Sequence, residues 1–299
     1  MAWITQAFEF IFECELAATT LNVTRAFNPH QRLTVLKFLP MRIAFLAFGI
    51  TLLMPAVAAQ NVRVGAAHFP PYTVQPERGA DSGLLPQLLV ALNQLQNDYH
   101  FEVVPSSIAR RFRDFEQGRV DVVLFENPAW GWQGIAHSAV DMGLEDAEIF
   151  VAQRQPGREQ SYFDDLAGKR LALFSGYHYA FAGFNPEPKF LTDTFNATLT
   201  YSHESNLLMV LRGRADIAPI TRSNLTGLLS RNPQVRSKVL VSTRIDQVYH
   251  HYALVRPQAP IQSQQFAHML QSLRDNGQLE AIFAPYKIAL VAVNPAVSP

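Results

Sequence analysis

"FRDFEQGRVDVVLFENPAW", residues 112–130, and "LMVLRGRADIAPITRSN", residues 208–224, carry the same features in the same order. Each reads as an amphipathic helix, a Gly-Arg pair, one small apolar residue, an Asp and a short apolar strand. Gly118 and Gly213 stand just past the helix ends, where glycine adopts the left-handed conformation at little cost. The strands after Asp121 and Asp216 are too apolar to keep one face in water. Strands buried on both faces belong to parallel α/β sheets. One such unit in each half predicts two similar α/β lobes.

Each half also opens on a matching unit. "VRVGAAHFPPY" (62–72) alternates like a strand and breaks at Pro70-Pro71, and "SGLLPQLLVALNQLQ" (82–96) follows with leucines at helical spacing. "KRLALFSGYHYAFAGF" (169–184) gives a strand ending near Phe174, then Ser175-Gly176 and a helix start. Near the C-terminus, "YHHYALVRPQ" (249–258) reads as a strand, residues 260–287 as two helices broken at Asn276-Gly277, and "NPAVSP" as a loose tail.

Strand-helix alternation implies crossover connections, and open parallel sheets bind ligands outside the carboxyl ends of their strands. That rule selects four loops: His68 to Tyr72, Phe125 to Trp130, Ser175 to Tyr179, and Ile220 to Asn224. All four are rich in aromatic and hydrogen-bonding side chains, as small-ligand pockets are. A strand ending in Glu126, Asn127 and Trp130 therefore reads as one wall of a cleft.

The composition narrows the function. Of 299 residues, 48% are hydrophobic and 17% charged, which suits a globular chain with one or two cores. Lys+Arg and Asp+Glu balance at 25 each, so there is no basic field for nucleic acid, and no nucleic-acid partner is expected. "LKFLPMRIAFLAFGITLLMPAVAAQ" (36–60) has the layout of a secretory signal: Lys37 and Arg42, an apolar stretch from Ile43 to Leu53, and Ala56-Val57-Ala58 as a cleavage site. The signal is assigned to 41–59 and directs the protein to the periplasm; its apolar core is shorter than the roughly 20 residues that span a bilayer. Residues 1–40 read as a non-native or disordered extension before Met41. The one cysteine, Cys14, falls there, which leaves the mature chain without disulfide or thiolate metal site.

The order "VRVGAAHFPPY…SGLLPQLLVALNQL…FEQGRVDVVLF…GKRLALFSG…LRGRADIAPI…YHHYALVR…LRDNGQLEAIFAPY" resembles the family-3 extracellular solute-binding proteins, the amino-acid-type receptors of ABC importers. The resemblance covers nearly all of 61–287. It implies an α/β fold of the two-lobe type II periplasmic binding protein class, each lobe a mainly parallel sheet flanked by helices, with two hinge strands between them. On that template 61–147 plus 249–290 form lobe 1 and 148–248 form lobe 2. It also implies a monomer without enzymatic activity or cofactor, a small polar or amine-containing, amino-acid-like solute as ligand, and an ABC permease as partner.

Departures from the family pattern bear on the ligand. The Thr and Arg that usually clamp an α-amino-acid carboxylate fall on about Pro128 and Gln133, and the Asp that usually holds the ammonium falls on Thr221. Aromatic residues fill the gap, with Glu126 as the candidate negative charge, an arrangement suited to an amine through pairing and cation–π attraction. The expected ligand contacts are Phe69, Tyr72, Glu126, Asn127 and Trp130 from lobe 1 and Ser175, Tyr177, His178, Thr221 and Arg222 from lobe 2. Two alternatives stay open: Trp130 and Trp132 pack beneath the lobe while Glu126 bonds Arg110 or Arg111, or Arg222 receives an acidic ligand.

Rival functions have less in the sequence. An exported hydrolase lacks G-x-S-x-G and H-E-x-x-H signatures. A metal receptor would need His68, His178, His203, His250 and His251 to converge, yet His250 and His251 adjoin in a strand and point to opposite faces. No metal site is expected. A ligand sensor for a membrane signalling partner keeps the same fold and cleft.

Overall fold

A computed structural model of the chain describes residues 58–79 and 82–293. The expected extension, the signal segment up to Val57 and the tail from residue 294 lie outside these residues. In chain order the elements are β1 (Gln60–Ala66), α1 (Leu84–Leu95), β2 (Tyr99–Pro105), α2 (Arg111–Glu116), β3 (Val122–Glu126) and β4 (Ser138–Gln153). There follow β5 (Leu171–Phe174), α3 (Pro188–Phe195), β6 (Ala197–Thr200), α4 (His203–Leu211), β7 (Ile217–Thr221), α5 (Arg222–Arg231) and α6 (Pro233–Arg236). The chain continues through β8 (Val239–Val255), α7 (Ser263–Asp275), α8 (Gln278–Phe283) and β9 (Ala289–Leu290).

The strands lie in the order β2-β1-β3-β8-β4-β7-β5-β6, with β9 beside β4. β1 pairs in parallel with β2 and β3, and β5 with β6 and β7. Between these two parallel groups run β4 and β8, antiparallel to each other and to their neighbours. The long pair passes from one group to the other, so the two lobes share it. This is the two-lobe type II architecture.

Each parallel group is covered on both faces, as its apolar strands require. In lobe 1, Val62, Val64 and Val122 pack against Leu85, Leu88 and Leu92 of α1 and against Phe266, Leu270 and Phe283 of α7 and α8. On the other face Val120 and Val123 pack with Phe115 and Trp132. In lobe 2, Ala218 and Ile220 pack with Leu207, Val210 and Leu225 on one side, while Leu171, Leu173 and Ile217 pack with Phe163, Tyr179 and Leu191 on the other.

The repeated motif has one geometry in both lobes. Asp121 donates its backbone N–H to Arg63 O at 2.8 Å, and its carboxylate receives the Arg63 backbone N–H and guanidinium at 2.7–3.0 Å. Asp216 does the same with Arg170: 2.8 Å between backbones, and 2.8–3.0 Å from the Arg170 backbone and guanidinium to its carboxylate. Each Asp thus fastens the start of one parallel strand to its neighbour. Gly118 and Gly213 before them have φ of 68° and 65°. Asp121 is the more deeply placed, with a second guanidinium, Arg256, at 2.9 Å.

One expected helix does not form. After β5 the aromatic run gives only a single 3-10 turn, Ala180–Ala182, and α3 starts at Pro188. Tyr179 is drawn back under the strand end, where its hydroxyl accepts the Phe174 N–H at 2.8 Å, and Gly176 takes φ 83°. The alternating rings serve packing below and the cleft above, so no helical stripe remains.

Asp121→Ala leaves the largely buried Arg256 without its carboxylate and breaks the Arg63 pair, and should lower stability by about 3 kcal/mol. Asp216→Ala, at a site open to water, should cost clearly less; equal losses in denaturant titrations would refute this ranking.

Candidate ligand cleft between the lobes

Loops at the carboxyl ends of β1 and β3 face those after β5 across one cavity, closed on a third side by β4 and β8. Its lining includes His68, Phe69, Ser106, Ile108, Arg111, Glu126 and Trp130 from lobe 1, and Gly176, Tyr177 and His178 from lobe 2, with Glu148 of β4 and Gln247 of β8. Apolar side chains of β3, among them Val123 and Leu124, complete the floor.

Glu126 reaches the cavity because β3 ends irregularly. Its pairing with β8 shifts register between Val123 and Glu126, and Phe125 takes φ 61°, rare for a bulky residue. Packing on Tyr72 at 4.7 Å, and an Nδ1 contact of His251 to its carbonyl at 3.2 Å, hold Phe125 there. The carboxylate beyond is fixed on both sides. Its Oε1 lies 3.1 Å from Arg111 Nε, and its Oε2 accepts the Trp132 indole N–H at 2.9 Å. Burial pushes Glu126 above the usual carboxylate range, against the opposing pull of Arg111 and Trp132.

The remaining Arg111 nitrogens also have partners. Nη1 donates to Ile108 O at 2.5 Å and Nη2 to Trp130 O at 3.4 Å, and the guanidinium lies 4.1 Å over the Phe112 ring. His178 is buried beside this cation, and the burial first, then Arg111, lowers its pKa to about 4. His68 is likewise lowered by burial. Both imidazoles are neutral at pH 7.

Glu148 is the carboxylate without a cation. It is 2% exposed, and its Oε1 accepts the Thr221 hydroxyl at 2.7 Å and the Tyr249 hydroxyl at 3.4 Å. Its Oε2 has no partner, and neither has the buried Tyr177 hydroxyl. Burial pushes Glu148 well above the usual carboxylate range, and the charges of Asp146 and Asp246 add to this. Behind Thr221 stands His203, its Nε2 at 3.2 Å, buried and lowered to about 3.

Of the residues expected at the site, Phe69, Glu126, Trp130, Tyr177 and His178 line the cavity together. Phe69 meets Tyr177 edge-on at 5.5 Å and Trp130 at 6.1 Å, so aromatic faces from both lobes touch. Tyr72 lies behind, its hydroxyl donating to buried Asp146 at 2.7 Å. Thr221 sits under Glu148. Asn127 caps its own turn, accepting the Ala129 N–H at 2.9 Å and donating to His250 O at 3.1 Å. Ser175 bonds through its backbone to Thr200, and Arg222 turns to Asp146 at 3.6 Å and Glu145 at 3.9 Å. Trp132 is core, and Arg111 rather than Arg110 holds Glu126.

Sequence reasoning missed Glu148 and Gln247. The available signal was "LEDAEIFVAQ" (144–153), a run of acidic residues entering an otherwise apolar strand. Among the described residues no group of three His, Asp or Glu side chains is placed to hold a metal ion. His250 and His251 face opposite ways, the first 3.3 Å from Asp141 and the second fully buried.

Solved structures share this fold. A mutant of ArgBP from T. maritima aligns with TM-score 0.57 at 16% identity, covering 76% of this chain and 95% of that one. The GluR0 ligand-binding core from Nostoc punctiforme, in complex with (L)-glutamate, aligns with TM-score 0.56 at 14% identity, over 76% and 98%. A histidine kinase sensor domain with similarity to periplasmic binding proteins gives TM-score 0.58 at 18% identity, over 81% and 99%. No curated protein matches the sequence. The family model of ABC transporter, phosphonate, periplasmic substrate-binding proteins matches residues 92–289. With that match and a cleft shared by two lobes, the chain belongs to the phosphonate-type periplasmic substrate-binding proteins of ABC transporters.

Proposed function

We propose that this receptor captures a small, amine-containing organic solute between its lobes and delivers it to an ABC permease in the inner membrane. The carrying observation is Glu148: a buried carboxyl on a strand shared by both lobes, with one oxygen unpartnered. A buried carboxylate lacking a cation is costly, and an ammonium supplies the missing partner. Phe69, Trp130 and Tyr177 add aromatic faces for cation–π attraction, with His178 and Glu126 beside them. Tyr72, Asn127, Ser175, Thr221 and Arg222 act on the ligand through the walls they hold.

Closure couples to binding because the ligand touches both lobes and so favours the closed form. Asn224 Nδ2 donates to Pro70 O at 3.3 Å from one lobe to the other, and Gln247 Nε2 donates to His178 O at 2.6 Å. Ligand sensing for a membrane signalling partner is the second reading, supported by the likeness to a kinase sensor domain. Co-purification with a permease or with a sensor kinase separates the two.

Binding of an ammonium favours ionised Glu148, whose pKa in the empty protein is raised. The bound state therefore holds fewer protons, and affinity should rise with pH, by up to tenfold per unit, from the ordinary carboxylate range to the raised value, then level off. Calorimetry in buffers of different ionisation enthalpy should report proton release on the rising limb. Glu148→Gln should abolish both effects, and Tyr177→Ala should weaken binding at least tenfold, about 1.4 kcal/mol. A pH-independent affinity in the unaltered protein would exclude Glu148 as the ammonium partner.

Gly176 lies at the interface of the lobes with φ 83°, and a Cβ there would come within 2.6 Å of Ile108 Cγ2. Gly176→Ala should hold the lobes apart and lower affinity by tenfold or more. Small-angle scattering should then show no contraction on adding ligand, whereas normal contraction and affinity would argue against closure at this contact.

A further inference from the structure

We infer that the solute is a monocationic amine with an apolar body and no acid group, as distinct from an α-amino acid or a phosphonate. This rests on the cleft being the binding site, as proposed above.

The charged side chains lining the cavity are Arg111, Glu126 and Glu148. An amino acid or an aminophosphonate would need a free cation for its anionic end, and Arg111, the one Arg or Lys of the lining, already has its charge paired with Glu126 and three of its five N–H donors engaged. Nε is paired with Glu126 at 3.1 Å, Nη1 with Ile108 O and Nη2 with Trp130 O. An incoming carboxylate or phosphonate would either share a cation already neutralised by Glu126, setting two anions side by side, or displace Glu126. Displacement would leave the Glu126 carboxylate buried with the Trp132 N–H as its remaining hydrogen bond. The histidines do not replace Arg111, because His68 and His178 are neutral in the cavity. The Ser106 hydroxyl donates to Asp114 at 2.6 Å and is spent as a donor.

The free groups are of the opposite kind. Glu148 Oε2 and the Tyr177 hydroxyl are buried and unpartnered; ionised Glu148 can only accept from N–H, and the Tyr177 oxygen can accept as well as donate. With Arg111 and Glu126 neutralising each other, ionised Glu148 leaves one uncompensated negative charge in the cleft. One ammonium balances it; a zwitterion adds an anion with no partner. The rest of the wall, from Phe69 and Trp130 to Ile108, Val123 and Leu124, offers apolar contact and few hydrogen bonds, which suits an aryl or alkyl chain.

The test is a panel matched in body and differing in charge, against the unaltered mature protein: phenethylamine and hexylamine, phenylalanine and norleucine, 3-phenylpropionate, and 2-aminoethylphosphonate. Thermal shift and calorimetry are read at pH 7.5. At least one of the two amines should bind a hundredfold or more tighter than its matching amino acid, with no shift from the propionate or the phosphonate. Glu148→Gln should remove amine binding, and Glu126→Gln, which frees Arg111, should raise affinity for the amino acid. Tighter binding of an acid-bearing compound than of its amine, with Tyr177→Ala weakening it, overturns the inference while leaving the cleft as the site. Binding of any of these compounds that survives both Tyr177→Ala and Gly176→Ala overturns the cleft itself. Failure of both amines to bind overturns the inference.

Discussion

β4 and β8 pair from Ser138 against Val255 to Gln153 against Val239, and that antiparallel ribbon is the structure both lobes are built on. It is the last partner of the parallel strands on either side, β3 in lobe 1 and β7 in lobe 2. A strand flanked on both edges and covered on both faces has nowhere to place a charge cheaply. Yet β4 carries Asp146 and Glu148, 0% and 2% exposed. Asp146 is satisfied by the Tyr72 hydroxyl and the Ala147 N–H, from the lobe 1 loop and from its own strand. Glu148 is half satisfied from lobe 2, through Thr221. The hinge ribbon thus meets both lobes through Asp146, which also accepts the Ser223 N–H, and leaves one oxygen of Glu148 for the cleft.

The repeated helix-Gly-Arg-x-Asp-strand unit explains why the lobes are alike without being equivalent. In each, the Asp before the strand binds an Arg at the neighbouring parallel strand, so the same short motif sets strand order twice. The strand ends then diverge. β3 runs into Phe125 with positive φ and turns Glu126 toward the cavity, whereas β7 ends at Thr221 and passes directly into α5. Aromatic loops fill lobe 1's side of the cleft, and α5 turns Arg222 back toward the hinge carboxylates. One motif therefore yields a cavity wall in one lobe and a structural joint in the other.

Much of the fold was legible because it depends on local signals. Glycine past a helix, a buried-strand composition and turn residues gave the alternation, and the alternation gave the cleft. The five lining residues named from sequence, Phe69, Glu126, Trp130, Tyr177 and His178, all follow directly from strand ends. What could not be read depends on pairing distant in sequence. Glu148 becomes a buried, singly satisfied carboxyl because β8, about a hundred residues later, lies against it and Thr221 and Tyr249 reach it. Nothing between 144 and 153 states that β8 will be there. Arg111 is similar: its role is set by Glu126, Trp130 O and Ile108 O, three groups no helical periodicity connects. The helix expected after Gly176 failed because the tyrosines there answer to the core and the cleft at once.

The electrostatic division of the cavity bears on the closure proposed for the two lobes. In lobe 1, Arg111 and Glu126 cancel each other at 3.1 Å and are further held by Trp132 and backbone carbonyls, so that wall is nearly neutral. The unsatisfied groups, Glu148 Oε2 and the Tyr177 hydroxyl, lie on the hinge and on lobe 2. Were the lobes apart, water would reach them and their cost would be small. Closing the lobes over an empty cavity strips that water away, and burial then drives Glu148 to keep a proton. The proposed cation at Glu148 would remove this penalty in the closed form only, which is the differential interaction that a ligand must have to shift a conformational equilibrium. An anion at the same place would instead favour the protonated carboxyl, and would not supply the cation that ionised Glu148 lacks.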